Sequence, residues 1–164
     1  MDHFFRGFLP RIQEGGCLMK SYRDLAAPCG LDCFNCKVYI ENISQGTISR
    51  LSKIFDIDEG SVRCAGCREQ RGRRLNFSEC ATFNCAEERG IKFCYECDQF
   101  PCPLLQPIAD GLQWYPHNLK LYNLCRIKKV GVDTWIREEA MVNRFRYLHG
   151  KLAGGMGEIQ TGSG

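Results

Sequence analysis

Cysteine sulfur is the main chemistry available to this chain, and the cysteines are ordered. The sequence reads Cys29-x3-Cys33-x2-Cys36, then Cys64-x2-Cys67, Cys80-x4-Cys85 and Cys94-x2-Cys97-x4-Cys102. A C-x2-C turn lets both sulfurs converge on one ion while nearby backbone N–H groups stabilise them. Gly66, between Cys64 and Cys67, suits so tight a turn because glycine reaches positive φ without strain. Repeated C-x2-C pairs in a cytosolic chain are a zinc signal. Cys29, Cys33, Cys36, Cys64, Cys67, Cys80, Cys85, Cys94, Cys97 and Cys102 are therefore expected to be metal ligands, with Zn2+ as the metal.

Spacing leaves the grouping open. Cys64/Cys67 can pair with Cys94/Cys97 across the intervening segment, or Cys80/Cys85 can take that place. The triple Cys29/Cys33/Cys36 lacks a fourth ligand, for which Cys102 is the first candidate and Cys80 or Cys85 would also serve. Two four-cysteine sites leave a pair over, as a redox couple, a partial site, bridging ligands or buried apolar groups. The competing cofactor is a [4Fe-4S] cluster, since Cys29-x3-Cys33-x2-Cys36 is also the spacing by which radical-SAM enzymes hold one. That chemistry uses a large partial barrel, whereas the residues after Cys36 are cysteine-rich and helical without alternating strands and helices.

Other reactive side chains read as supporting. Cys17 and Cys125 belong to no pair, and Cys125, among Leu121, Leu124 and Ile127, is expected to fill core. His3, His117 and His149 lie away from the cysteine pairs and are not expected to ligate. Asp32 and Glu96, beside cysteines, are read as tuning local charge. The run Arg68-Glu69-Gln70-Arg71-Gly72-Arg73-Arg74, followed by Phe77, suits either a solvated loop or a nucleic-acid contact in which Phe77 or Tyr95 stacks on a base. The loop is the favoured reading. No nucleophilic triad, Walker loop or glycine-rich dinucleotide signature is present in the sequence, so the reading leans away from an enzyme.

Composition frames these expectations. Twelve cysteines in 164 residues approach the density of a disulfide scaffold, so the compartment decides their chemistry. Asp2, Arg6, Pro10, Arg11, Gln13 and Glu14 interrupt any apolar leader between Met1 and Lys20. No stretch approaches the roughly 20 apolar residues of a membrane span. The expectation is a cytoplasmic protein with reduced thiols and no membrane partner. The formal charge is +3, but two four-thiolate zinc sites would bring it to about −1. Global charge thus gives little support to nucleic acid.

The elements that must position the cysteines are mostly helical. Ile48, Leu51, Ile54 and Phe55 predict a helix capped by Ser44 or Thr47, with Gly60 beyond its end. A short helix is expected from near Cys85 through Arg89, ending at Gly90. Pro103 should open a helix carrying Leu104, Leu105, Ile108 and Leu112, bent or shortened by Pro107. Asn118–Val130 reads as a helix stopped by Gly131. A final helix, capped by Asp133 and ended by Gly150, is expected to share Trp135, Glu139, Val142, Phe145 and His149 on one face.

Beyond these separate signals, Ala27-Pro28-Cys29-Gly30-Leu31-Asp32-Cys33-x2-Cys36, Cys64-Ala65-Gly66-Cys67-Arg68, Cys80-x4-Cys85-Ala86-Glu87-Glu88-Arg89-Gly90 and Cys94-Tyr95-Glu96-Cys97-x2-Phe100-Pro101-Cys102 together resemble domain-of-unknown-function family 3795. The resemblance covers about residues 25–145 and includes the segment Gly131-Val132-Asp133-Thr134-Trp135. It implies a cysteine-rich, metal-binding prokaryotic protein and no particular activity. Lys37 departs from the proline that relatives often carry there.

The expected architecture is a small, metal-stabilised, α-rich (α+β) domain of cysteine knuckles with short strands and a C-terminal helical segment. Residues 1–20 are expected to be a poorly ordered extension, 21–103 the metal-binding region, 104–150 the helices packed on it and 151–164 a flexible tail. The expected role is a structural-zinc interaction or accessory module with a protein partner. The alternatives are an iron–sulfur redox or accessory protein and a nucleic-acid-binding zinc protein.

Overall fold

Helix dominates wherever the sequence has apolar periodicity, and turns dominate around the cysteines. The computed structural model describes residues 22–73, 79–109 and 115–149. The expected extension at 1–20 and tail at 151–164, with Cys17, His3, Arg74, Phe77 and Leu112, lie outside them.

Among the described residues no strand forms; short strands were expected. Two isolated bridges occur among these residues, Ala26 with Asp32 and Tyr39 with Cys64. The reason is local. The cysteine loops close on themselves through tight turns, such as Gly30 N–H to Ala27 C=O at 2.9 Å and Cys36 N–H to Cys33 C=O at 2.9 Å. Those bonds use the donors that a ladder would need.

Helix α1 (Gln45–Phe55) starts where Ser44 Oγ accepts the Thr47 N–H and stops at Asp56, which is left-handed at φ 51°. Ile48 is its fully buried residue, whereas Ile54 points outward. Helix α2 (Ala81–Glu88) begins a turn earlier than expected, with Cys80 at its N-cap and Cys85 inside it. The helix expected after Cys102 is a single 3₁₀ turn, Pro103–Leu105. Pro107 has no N–H to continue the bonding.

Helix α3 (Leu119–Val130) ends at Gly131, at φ 82°. The last helix starts earlier than its expected cap: α4 (Val132–Thr134) runs through a π turn (Trp135–Glu139) into α5 (Ala140–His149). A π turn inserts one extra residue, which rotates everything after it. The buried positions are therefore Trp135, Ala140 and Asn143, while Phe145 and His149 face outward instead of sharing Trp135's face.

The core lies between the cysteine loops and these C-terminal helices. Leu25, Ala26, Ala27, Phe34 and Phe93 from the loops meet Leu124, Ile127, Trp135 and Ala140. Trp135 is completely buried, and its ring meets Phe34 edge-on at 6.1 Å. Such a pair adds about 0.5–1.5 kcal/mol beyond area burial. Phe34 sits between Cys33 and Cys36, so the aromatic contact also fixes that loop.

Candidate metal centre

Two structural devices set the cysteine loops. The turn Cys94–Glu96 is a 3₁₀ turn closed by Cys97 N–H to Cys94 C=O at 3.2 Å. Gln99 N–H points at Cys97 Sγ (3.4 Å), and Gly66 N–H points at Cys64 Sγ (3.4 Å). These are the backbone-to-sulfur contacts that a thiolate knuckle uses.

Cys85, Cys94, Cys97 and Cys102 line one cavity of about 20 Å³, together with Thr82, Ala86, Arg89, Ile91, Phe100 and Leu104. A space that size admits roughly one water-sized sphere. Burial pushes the Cys94 thiol up to about 11, helped by its neighbours Cys102, Cys85 and Cys97. Arg89 hydrogen-bonds Cys85 and lies near Cys97.

Cys29, Cys33, Cys64 and Cys67 do not line that cavity. Cys33 hydrogen-bonds Cys67, and that bond, followed by burial, raises its thiol well above the ordinary range. Burial pushes Cys29 up to about 12, with Cys33 and Cys80 as electrostatic neighbours. Cys64 is tied to the segment after Cys36 through Ile40 N–H to Cys64 C=O (2.8 Å) and Cys64 N–H to Val38 C=O (2.9 Å). Among the described residues, no three Cys, His, Asp or Glu side chains stand in the geometry of a single-ion site. The sulfurs of Cys85, Cys94, Cys97 and Cys102 line one space without meeting at one point.

Charged residues hold the loops in place. Asp32, completely buried, accepts two bonds from Arg144: Nε at 2.8 Å and a terminal nitrogen at 2.7 Å. Asn35 donates a third at 2.8 Å. Asp32 is thus an anchor for α5, and sequence reasoning missed its partner, which lies 112 residues away. Arg68 reaches Ala26 C=O (2.9 Å) and Lys92 C=O (2.7 Å) and lies over the Phe93 ring. Lys120 is half-buried and acts electrostatically on both Cys29 and Cys94.

The expected core-filler Cys125 is exposed, because the buried stripe of α3 runs through Asn123, Leu124 and Ile127. His117 contacts the Ile108 carbonyl at 3.3 Å, and the His149 ring tilts against Phe145. In the basic run, Arg71 pairs with Glu87 at 3.1 Å and Arg73 with Glu79 at 3.0 Å, all four exposed. No helix among the described residues is long and apolar enough to cross a membrane.

The order of these cysteine groups has a counterpart elsewhere. The family described as "Protein of unknown function (DUF3795)" matches residues 25–107. This chain belongs to that family. The match holds all ten patterned cysteines and ends before α3, so the resemblance drawn to residue 145 is shorter than expected. In this family member the helices that seal the cysteine loops therefore lie outside the matched region. No curated protein and no solved structure matches the chain.

Proposed function

We propose that this protein binds metal through its cysteines, that Cys85, Cys94, Cys97 and Cys102 hold a structural Zn2+, and that the fold so organised is an interaction or accessory module. The supporting observation is that these four thiols line one small cavity. The donor set fits the metal. Four soft sulfurs line the space without a carboxylate, and four-thiolate zinc is the usual closed structural site. Such a centre carries about two negative charges, and Arg89 stands beside two of the sulfurs to offset them.

A closed site leaves no position for substrate, which favours a structural over a catalytic role. Binding of this kind contributes about 10–16 kcal/mol, against a total stability of about 5–15 kcal/mol for a typical domain. The metal is then the largest single stabilising term. Elemental analysis of protein purified anaerobically, without added metal, tests the proposal. Stoichiometric zinc in colourless protein is the expected result, and zinc-free, folded protein would refute it.

A second reading draws on the wide placement of the sulfurs, which suits a cluster larger than one ion. An iron–sulfur centre would give brown protein with broad visible absorbance and stoichiometric iron and sulfide. The nucleic-acid reading is weaker because Arg71 and Arg73 already have carboxylate partners. Binding that falls steeply with salt and disappears on changing Arg71, Arg73 and Arg74 to Ala would revive it.

A further inference from the structure

We propose that Arg89 is the positioning residue that retains metal in the four-cysteine cavity, its guanidinium closing the mouth between α2 and the loop that begins at Cys97. The proposal rests on the metal reading above and gives a role to a side chain that is not a ligand.

The helix explains why Arg89 reaches the cavity. Thr82, Cys85, Ala86 and Arg89 all line it, in the i, i+3, i+4, i+7 pattern of one helical face. Arg89 ends α2 in helical conformation (φ −86°, ψ −5°), and its N–H bonds the Cys85 carbonyl at 3.1 Å. Its side chain therefore starts one turn beyond Cys85, on the same face. The guanidinium then crosses to the neighbouring loop. Nη2 donates to Gln99 Oε1 at 3.2 Å, and Nη1 to Asp98 Oδ1 at 3.5 Å. One planar cation thus joins the element that carries Cys85 to the loop that carries Cys97.

Its place at the mouth follows from exposure. Thr82, Ala86 and Cys94 are buried, whereas Arg89 and Leu104 are the exposed residues around this cavity. A group entering or leaving passes these two side chains, and Arg89 is the charged one. Four thiolates around Zn2+ carry about two negative charges. Asp98 adds a carboxylate 3.4 Å from Cys97 Sγ, and Arg89 touches that same carboxylate oxygen. The Asp98 contact is long and exposed, so it orients the guanidinium and adds little to fold stability. A donor fixed beside a ligating sulfur orients it, and losing such a partner typically costs about 10–100-fold in metal affinity.

Wild type, R89Q, R89K and K92Q are purified anaerobically without added metal and analysed for bound metal. Its release to excess chelator is then timed at fixed pH and salt, once with anionic EDTA and once with an uncharged pyridyl chelator. Lys92 is exposed and does not line the cavity, so K92Q removes the same charge elsewhere. R89Q should release metal about tenfold faster than wild type to both chelators, with R89K between them and K92Q at the wild-type rate. Hydrogen exchange of the α2 amides in the metal-loaded variants should keep wild-type protection. Equal release from R89Q and wild type would overturn the proposal. Slower release from R89Q to EDTA would also overturn it, since Arg89 would then be drawing anions in. Release from K92Q as fast as from R89Q would make the effect one of net charge, and lost α2 protection in R89Q would make Arg89 an ordinary helix cap. Either result overturns it. If R89Q is isolated folded but metal-free, R89K carries the comparison, and release at the wild-type rate would overturn the proposal. Metal-free wild-type protein would instead remove the metal reading itself, a result separate from any difference among the variants.

Discussion

Burying a carboxylate costs several kcal/mol unless a cation meets it, and Asp32 is buried in the middle of the first cysteine loop. Arg144 meets it with two bonds, so the pair locks α5 onto Cys29–Cys36. Changing Arg144 to Met should destabilise the protein by about 3–5 kcal/mol, because an unpaired charge is left in the core. The double variant D32N/R144M should recover part of that loss. Urea unfolding of the single and double variants checks both, and an R144M midpoint equal to wild type would refute the anchor. Gly30, two residues earlier, has a different reason for its identity. Its φ is 84°, and a β-carbon there would stand 2.9 Å from Leu124 Cγ and 3.0 Å from the Lys120 carbonyl. Gly30→Ala should therefore cost about 1–3 kcal/mol through overpacking, read by the same unfolding measurement.

At the scale of elements, the π turn at Trp135–Glu139 decides how the last helix meets α3. Arg126 of α3 hydrogen-bonds and pairs with Glu139, and that bond holds the carboxyl below the ordinary glutamate range. The linkage sign follows directly. A depressed carboxyl contributes stability above its unfolded value, about 4.3, and loses it as pH falls through the folded value. Wild type should therefore lose melting temperature on acidification below about pH 4.3 more steeply than E139Q, in thermal scans of both proteins. Equal slopes would mean that the pair holds nothing together. Trp135 offers a second measure of the same element. Trp135→Ala should cost about 3–5 kcal/mol, since a fully buried ring would leave a cavity against Phe34.

For the whole molecule, loops without strands must be held by something other than a ladder. The aromatic and aliphatic core covers one side of the cysteine loops, and bound metal is the proposed brace for the other. Complete chelation under reducing conditions should then abolish cooperative melting, as followed by circular dichroism or calorimetry. Cooperative melting of verified metal-free protein would show that core packing alone suffices.

Much of this was legible in the chain itself, because it depends on near neighbours. Ser44 capping α1, Gly131 closing α3 and the short cysteine turns are all decided within a few residues, and the order of cysteine groups pointed to the family. The meeting of Cys85 with Cys94, Cys97 and Cys102 around one cavity was not legible. It depends on α2 starting at Ala81 and carrying Cys85 inside the helix. The outward turn of Phe145 and His149 was equally hidden, since a π turn shifts the register by one residue and leaves no mark in spacing. Nor could the sequence show Arg144 reaching Asp32 across 112 residues. Local bonding sets helices and knuckles, whereas contacts between distant segments form only when the chain packs, and those contacts determine which thiols share a space.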